Sequence, residues 1–180
     1  APASEDPLDK ICPYQFREPL APSVAAQRQG MTLDIDRLND VYNEITSTHD
    51  ITLVEGAGGL MVPLLPSYTY ADFARVLKLP IIVIAANRLG MINHLLLTLE
   101  HARCKGVCVL GYVLNRVESG AALAADTNRE ALSMLTAVIC AGELPYVAPS
   151  EDADDGGADS FAEQFDLRVI HSILGKRPVR

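Results

Sequence analysis

A chain of 180 residues is long enough for one domain with a sizeable core, and its 49% hydrophobic content excludes a disordered polypeptide. Tryptophan is absent and aromatics make up only 6%, so that core must be mainly aliphatic. A net charge of -8 excludes a duplex-binding surface, which needs clustered Lys and Arg, but leaves small anions open because a few backbone amides can bind them.

Residues 1–10 are Pro-rich and acidic and read as an unstructured lead; residues 1–11 and 175–180 are expected to be flexible ends of a single α/β domain over 1–180. Three prolines, Pro13, Pro19 and Pro22, forbid a regular helix or central strand over 12–23 and point to an ordered loop lying on another element. Asp34 can cap a helix whose apolar residues Ile35, Leu38, Val41, Tyr42 and Ile45 recur at helical spacing. That helix runs out at Thr46–Asp50.

The next stretch organises the chain. Ile51, Thr52, Leu53 and Val54 lead into Glu55, and Gly56, Ala57, Gly58 and Gly59 follow at once. A short apolar run bounded by glycines predicts a buried strand. Ligands of open α/β sheets bind beyond the carboxyl ends of the strands, which is where Glu55 would stand. A carboxylate there is suited to magnesium beside a phosphate, and small residues let main-chain N–H groups approach an anion. From the pattern alone, Glu55 is either a metal ligand or an ordinary strand-end carboxylate.

Thr69 can cap a second helix with Phe73, Val76 and Leu77 on its apolar face. Ile81–Ala86 is apolar throughout, as a strand covered on both faces requires. Asn87–Gly90 turns the chain into a third helix over 91–103, with Ile92, Leu95, Leu96, Leu99 and Ala102 as its stripe. A third strand over 107–114 ends at Asn115. Thr127 to Glu130 has the form of a capping box for a fourth helix. Leu144–Tyr146 reads as a strand end, 150–159 as a solvated acidic loop, and 161–174 as a last helix. Strands alternating with helices predict a doubly wound parallel sheet with right-handed crossovers.

Cys12, Cys104, Cys108 and Cys140 form no C-x-x-C pair and read as buried structural thiols. No signal-peptide pattern and no apolar run of about 18 residues is present. The expectation is a cytoplasmic, reduced protein with neither a membrane nor a nucleic-acid partner.

Four motifs together resemble the dethiobiotin synthetases of the P-loop NTPase class. They are the VEGAGG string of 54–59 continued by Val62-Pro63-Leu64, the LGMINH string of 89–94 continued by Leu97-Thr98-Leu99-Glu100, Gly111–Asn115 at a strand end, and the proline-rich Tyr14–Pro22. The first alone is moderately specific, since related amidoligases carry similar strings; joined to LGxxNH it is quite specific.

The resemblance implies an ATP- and magnesium-dependent ligase. It would close the ureido ring of dethiobiotin from 7,8-diaminononanoate and carbon dioxide in biotin synthesis. It assigns Glu55 to magnesium, and Glu55, Gly56, Ala57, Gly58, Asn115, Arg116, Pro145, Tyr146, Val147 and Asp152 to the nucleotide. The acidic run leaves Glu151 as an alternative to Asp152. Gly59, Leu89, Gly90, Met91, Ile92 and Asn93 fall on the substrate side, where a helix N-terminus would receive the substrate's carboxylate tail across a homodimer interface. His94 on a leucine-rich helix reads as structural, and no catalytic acid or base is assigned.

One departure is large. Such enzymes carry G-x-x-x-x-G-K-T, whose lysine and threonine serve the phosphates and magnesium, and no such string occurs in these 180 residues. The expected fold is therefore P-loop NTPase-like but incomplete on its N-terminal side, and the chain alone is expected to be inactive. A degenerate, non-catalytic homologue acting as a dimerisation or binding module is one alternative; a cobyrinate-type amidoligase is another.

Overall fold

The structure, a computed structural model, describes residues 6–119 and 123–148. The chain forms two compact units, Ala1–Leu79 and Pro80–Arg180.

The first unit holds α1 (Leu8–Ile11), α2 (Pro22–Arg28), α3 (Ile35–Thr48), an antiparallel pair β1 (Pro63–Leu65) and β2 (Tyr68–Thr69), and α4 (Tyr70–Val76). The Asp34 side chain caps α3 by accepting from the N–H groups of Asp36 and Arg37. A reciprocal box between Thr69 and Asp72 caps α4. The proline-rich loop does lie on another element. Tyr14 and Phe16 pack against a core of Ala26, Leu33, Leu64 and Phe73, and the Tyr14 hydroxyl accepts from the Asp34 N–H at 3.0 Å. The Arg37 guanidinium stands 5.2 Å from the centre of the Tyr14 ring.

Four expectations for this unit change. Residues 8–11 are helical rather than unstructured. Pro22 does not end structure but starts α2, because a proline in the first turn sacrifices no intrahelical hydrogen bond. Val76 stands exposed instead of joining Phe73 in the core. Most consequentially, residues 51–56 are not a strand. They carry no ladder hydrogen bonds among the described residues, and Leu53 is 89% exposed. An apolar, β-branched run becomes a strand only when a neighbour takes its N–H and C=O groups.

The second unit is built on a parallel sheet in the order β3 (Ile81–Ala86), β4 (Val109–Asn115), β5 (Cys140–Leu144), with helices α5 (Met91–Lys105) and α6 (Leu123–Leu135). The architecture is α/β, as the alternation of strands and helices predicted. Met91, Leu95 and Leu99 of α5 and Leu132 of α6 bury one sheet face, meeting Ala85, Tyr112 and Leu114. Burial raises the Tyr112 phenol to about 12. On the opposite face Val113 and Ala141 are buried with Leu110 and Leu144 beside them.

Three further expectations change here. β3 is not covered on both faces: Ile82 and Ile84 are exposed, at 40% and 59%. Thr127 caps nothing, because α6 begins one turn earlier, at Leu123. Its hydroxyl instead donates to the Leu123 carbonyl at 2.9 Å. The cysteines are free thiols, with Cys12, Cys104 and Cys108 exposed and Cys140 half-buried. The predicted acidic loop at 150–159, the helix over 161–174 and the tail at 175–180 lie outside the described residues. Among the described residues, no helix is long and apolar enough to cross a membrane.

Candidate functional site

The expected site residues divide between the two units, and each set is built differently.

In the first unit, Glu55 to Gly59 form an exposed turn. The Val62 N–H closes it onto the Gly59 carbonyl at 2.9 Å, and the Ala71 N–H ties the Leu60 carbonyl at 3.0 Å, anchoring the turn to α4. Gly58 has φ +97°, and a Cβ there would stand 2.9 Å from Val62 Cγ2. A Cβ on Gly56 would stand 3.2 Å from the Tyr70 ring. Gly59 faces open space. The glycines are thus not equivalent. Gly58→Ala is expected to destabilise the chain by about 1–3 kcal/mol through a left-handed backbone and a clash, whereas Gly59→Ala should stay within about 0.5 kcal/mol. Urea denaturation of the two variants checks this, and equal midpoints would contradict it.

The Glu55 carboxylate is exposed, and no hydrogen bond or ion pair among the described residues holds it. No group of three His, Cys, Asp or Glu side chains able to hold a metal occurs among the described residues. A single free carboxylate is nevertheless a hard oxygen donor of the kind magnesium uses, since that ion takes one or two carboxylates and fills its shell with water and phosphate oxygens. Glu55 fits such a role; it does not fit a metal held by protein alone.

In the second unit, the parallel sheet brings three chain segments to one edge. Ala86, Asn115 and Leu144, the last residues of β3, β4 and β5, stand in register. The ladder continues one step beyond them. The Asn87 N–H donates to the Asn115 carbonyl at 2.7 Å, and the Arg116 N–H to the Leu144 carbonyl at 3.0 Å. Residues leaving the three strand ends are therefore neighbours by construction. This is the carboxyl edge at which open α/β sheets bind ligands.

At the β4 and β5 ends, Arg116, Glu118, Ser119, Glu143, Leu144, Pro145 and Tyr146 line an open cleft of about 470 Å³. Three residues expected on the nucleotide side, Arg116, Pro145 and Tyr146, thus meet in one cavity, with Asn115 adjoining in the chain. Val147, exposed, follows them. The Asn115 amide is half-buried and makes no side-chain hydrogen bond among the described residues, so both its donor and its acceptor remain available. Arg116 is held by Asp126, and Arg129 pairs with Glu143 at 3.1 Å. Two cations and two carboxylates therefore brace the cleft and the α6 face beside it. Glu118, Ser119 and Glu143 were not anticipated from sequence. Glu143 lies two residues before Pro145 and could have been read as its neighbour at the strand end; Glu118 and Ser119 carry no motif. Asp152 and its alternative Glu151 lie outside the described residues.

At the β3 end, Asn87–Gly90 leads into α5. Gly90 occupies its N-cap with φ +88° and offers no side-chain cap to the helix. Leu89, Gly90 and Asn93 are exposed. Met91 is buried and Ile92 packs partly against the core, so these two reach the edge only through their backbone. The Met91 N–H is itself engaged by the Arg88 carbonyl at 3.1 Å.

A family model described as an AAA domain matches residues 2–154. A protein of Aromatoleum aromaticum named ATP-dependent dethiobiotin synthetase BioD is 39% identical over 154 residues, 85% of this chain and 68% of its own length. A protein of the same name from an Anaeromyxobacter species is 40% identical over 72% of this chain and 62% of its own. One from Bacillus cereus is 38% identical over 77% and 57%. This chain accordingly spans between 57% and 68% of the length of these relatives. Matched in this way over most of its residues, the chain belongs to the AAA-domain family and, within it, to the ATP-dependent dethiobiotin synthetases.

Proposed function

We propose that the intact gene product closes the ureido ring of dethiobiotin from 7,8-diaminononanoate, carbon dioxide and ATP. One amine adds to carbon dioxide and loses a proton, giving a carbamate. A carbamate oxygen takes the terminal phosphoryl group, and ADP leaves. The second amine attacks the activated carbonyl carbon, phosphate leaves, and a proton is released as the ring closes. Transfer of this kind depends on positioning and charge neutralisation more than on acid–base groups.

Asn115 has a free amide whose donor and acceptor complement a purine edge. Arg116, Pro145, Tyr146 and Val147 wall the base, and Asp152 or its alternative Glu151 serves the nucleoside. Gly90 to Asn93 present the positive end of α5 to the substrate carboxylate, with Leu89 alongside, and the tail comes from the second subunit of a homodimer. Gly56 to Gly59 let main-chain groups approach the reacting end. Glu55 holds magnesium, which when bound neutralises phosphate charge. The 180 residues contain no G-x-x-x-x-G-K-T string, so no lysine of this chain is assigned to the transferred phosphate.

The observation carrying most weight is the common edge formed by Ala86, Asn115 and Leu144, from which the segments expected at nucleotide and substrate both depart. The test is turnover by the intact gene product with diaminononanoate, bicarbonate, ATP and magnesium. Dethiobiotin, ADP and phosphate are expected in equal amounts. ATP binding without ring closure would favour a related amidoligase. Asn115→Ala is expected to raise KM for ATP about tenfold with kcat little changed, because it removes binding shared by ground and transition states. Steady-state kinetics at varied ATP measures this, and an unchanged KM would remove Asn115 from the nucleotide.

A further inference from the structure

Two buried asparagines stand behind this edge, and neither belongs to the four motifs that carry the family resemblance. Asn87 is 4% exposed and Asn128 5%. They sit 41 residues apart in sequence, yet the Asn128 Nδ2 donates to the Asn87 Oδ1 at 2.8 Å. The Asn87 Nδ2 donates onward to the Ala125 carbonyl of α6 at 3.1 Å. The Asn128 Nδ2 also lies 3.4 Å from the Arg88 carbonyl, to which it donates. The chain of bonds fixes both amide orientations. Turning Asn87 over would set its oxygen against the Ala125 carbonyl and its NH2 against that of Asn128.

The placement of these bonds matters more than their number. The Asn87 main chain extends the β3–β4 ladder to Asn115, while its side chain is held by α6. The Arg88 carbonyl accepts from Asn128 and also from the Met91 N–H, which closes the turn before α5. Between these anchors lies Gly90 at φ +88°, where the helix has no side-chain cap of its own. α6 is in turn pinned to the nucleotide-side segment by Asp126 on Arg116 and Arg129 on Glu143. Leaving a buried amide without its partner costs more than a typical surface bond, so the pair locks the turn firmly.

We infer that Asn87 and Asn128 are positioning residues that hold the Arg88–Asn93 turn at a fixed setting relative to Asn115, an assignment that rests on the function proposed above. Both are buried and act through the turn they hold. Their effect is to aim the first-turn amides of α5 and the Asn115 amide from one frame, with α6 as the common support.

The test uses the intact gene product, with Asn128→Leu, Asn87→Leu and the double variant. Amide hydrogen exchange should speed up about tenfold or more over residues 88–93, while residues 99–105 of α5 keep their protection. Steady-state kinetics should show KM for diaminononanoate rising about tenfold with kcat within about twofold, and the double variant little worse than either single one. A purely structural role would lower the active fraction, and with it apparent kcat, at unchanged KM. That outcome, or uniform loosening of α5, or no local change in exchange, overturns the assignment. If the wild type makes no dethiobiotin, the proposed function fails, and the exchange pattern still decides whether the pair sets the turn.

Discussion

Glu55→Ala in the intact gene product is expected to lower dethiobiotin formation about a hundred- to a thousandfold, as loss of a group that neutralises developing charge typically does. Its stability should stay within about 0.5 kcal/mol of wild type, because the side chain is exposed and no described residue bonds to it. Those two results together separate a ligand from a structural carboxylate. A carboxylate that served only structure would cost stability on removal and leave the magnesium dependence unaltered. Glu55→Gln keeps shape and removes charge, and should be nearly as inactive. Complementation of a biotin auxotroph by Glu55→Ala at the wild-type growth rate would end the magnesium role.

Leu132→Ala is expected to destabilise the second unit by about 2–5 kcal/mol. The side chain is fully buried between α6 and the sheet, where it meets the cluster of Leu95, Leu99, Tyr112 and Leu114. Truncation leaves a cavity that rigid strands cannot collapse into. Leu135→Ala on the same helix is the control: its side chain is 56% exposed and the change should cost less than about 1 kcal/mol. Urea unfolding of both variants measures the difference, and equal midpoints would mean that α6 is not docked through Leu132. Because α6 also carries Asn128 and Asp126, the Leu132 variant should lose affinity for ATP before it loses its fold.

Local chemistry was readable wherever one residue decides its own geometry. Asp34 and Thr69 cap the helices they were expected to cap, since a short acceptor side chain before a periodic run satisfies the first free N–H groups. Ile81–Ala86 is a strand over the predicted span, and α5 differs from its predicted range by only two residues. Thr127 misled because a capping box and an interior Thr followed by Glu look alike in one dimension. Only the start of α6 at Leu123 distinguishes them. α2 was missed because proline was read as a breaker, although its first-turn position makes it a starter.

The candidate site was legible in the same uneven way. Motif resemblance named Arg116, Pro145 and Tyr146, but not the Glu118, Ser119 and Glu143 that share their cleft. Asn87 was read only as part of a turn and Asn128 only as part of a capping box, because two amides separated by 41 residues become partners only once β3 and α6 are packed.

By itself the sequence determined the family, the α/β alternation and two helix caps. Each of these depends on residue type and near-neighbour spacing. Tertiary structure alone decided which segments share an edge, that β3 leaves Ile82 and Ile84 exposed, and that residues 51–56 form no strand despite their β-prone composition. The physical reason is common to all three. A strand, an edge and a covered sheet face are relations between distant groups, and their free energy is realised only when a partner supplies the missing hydrogen bond or apolar surface.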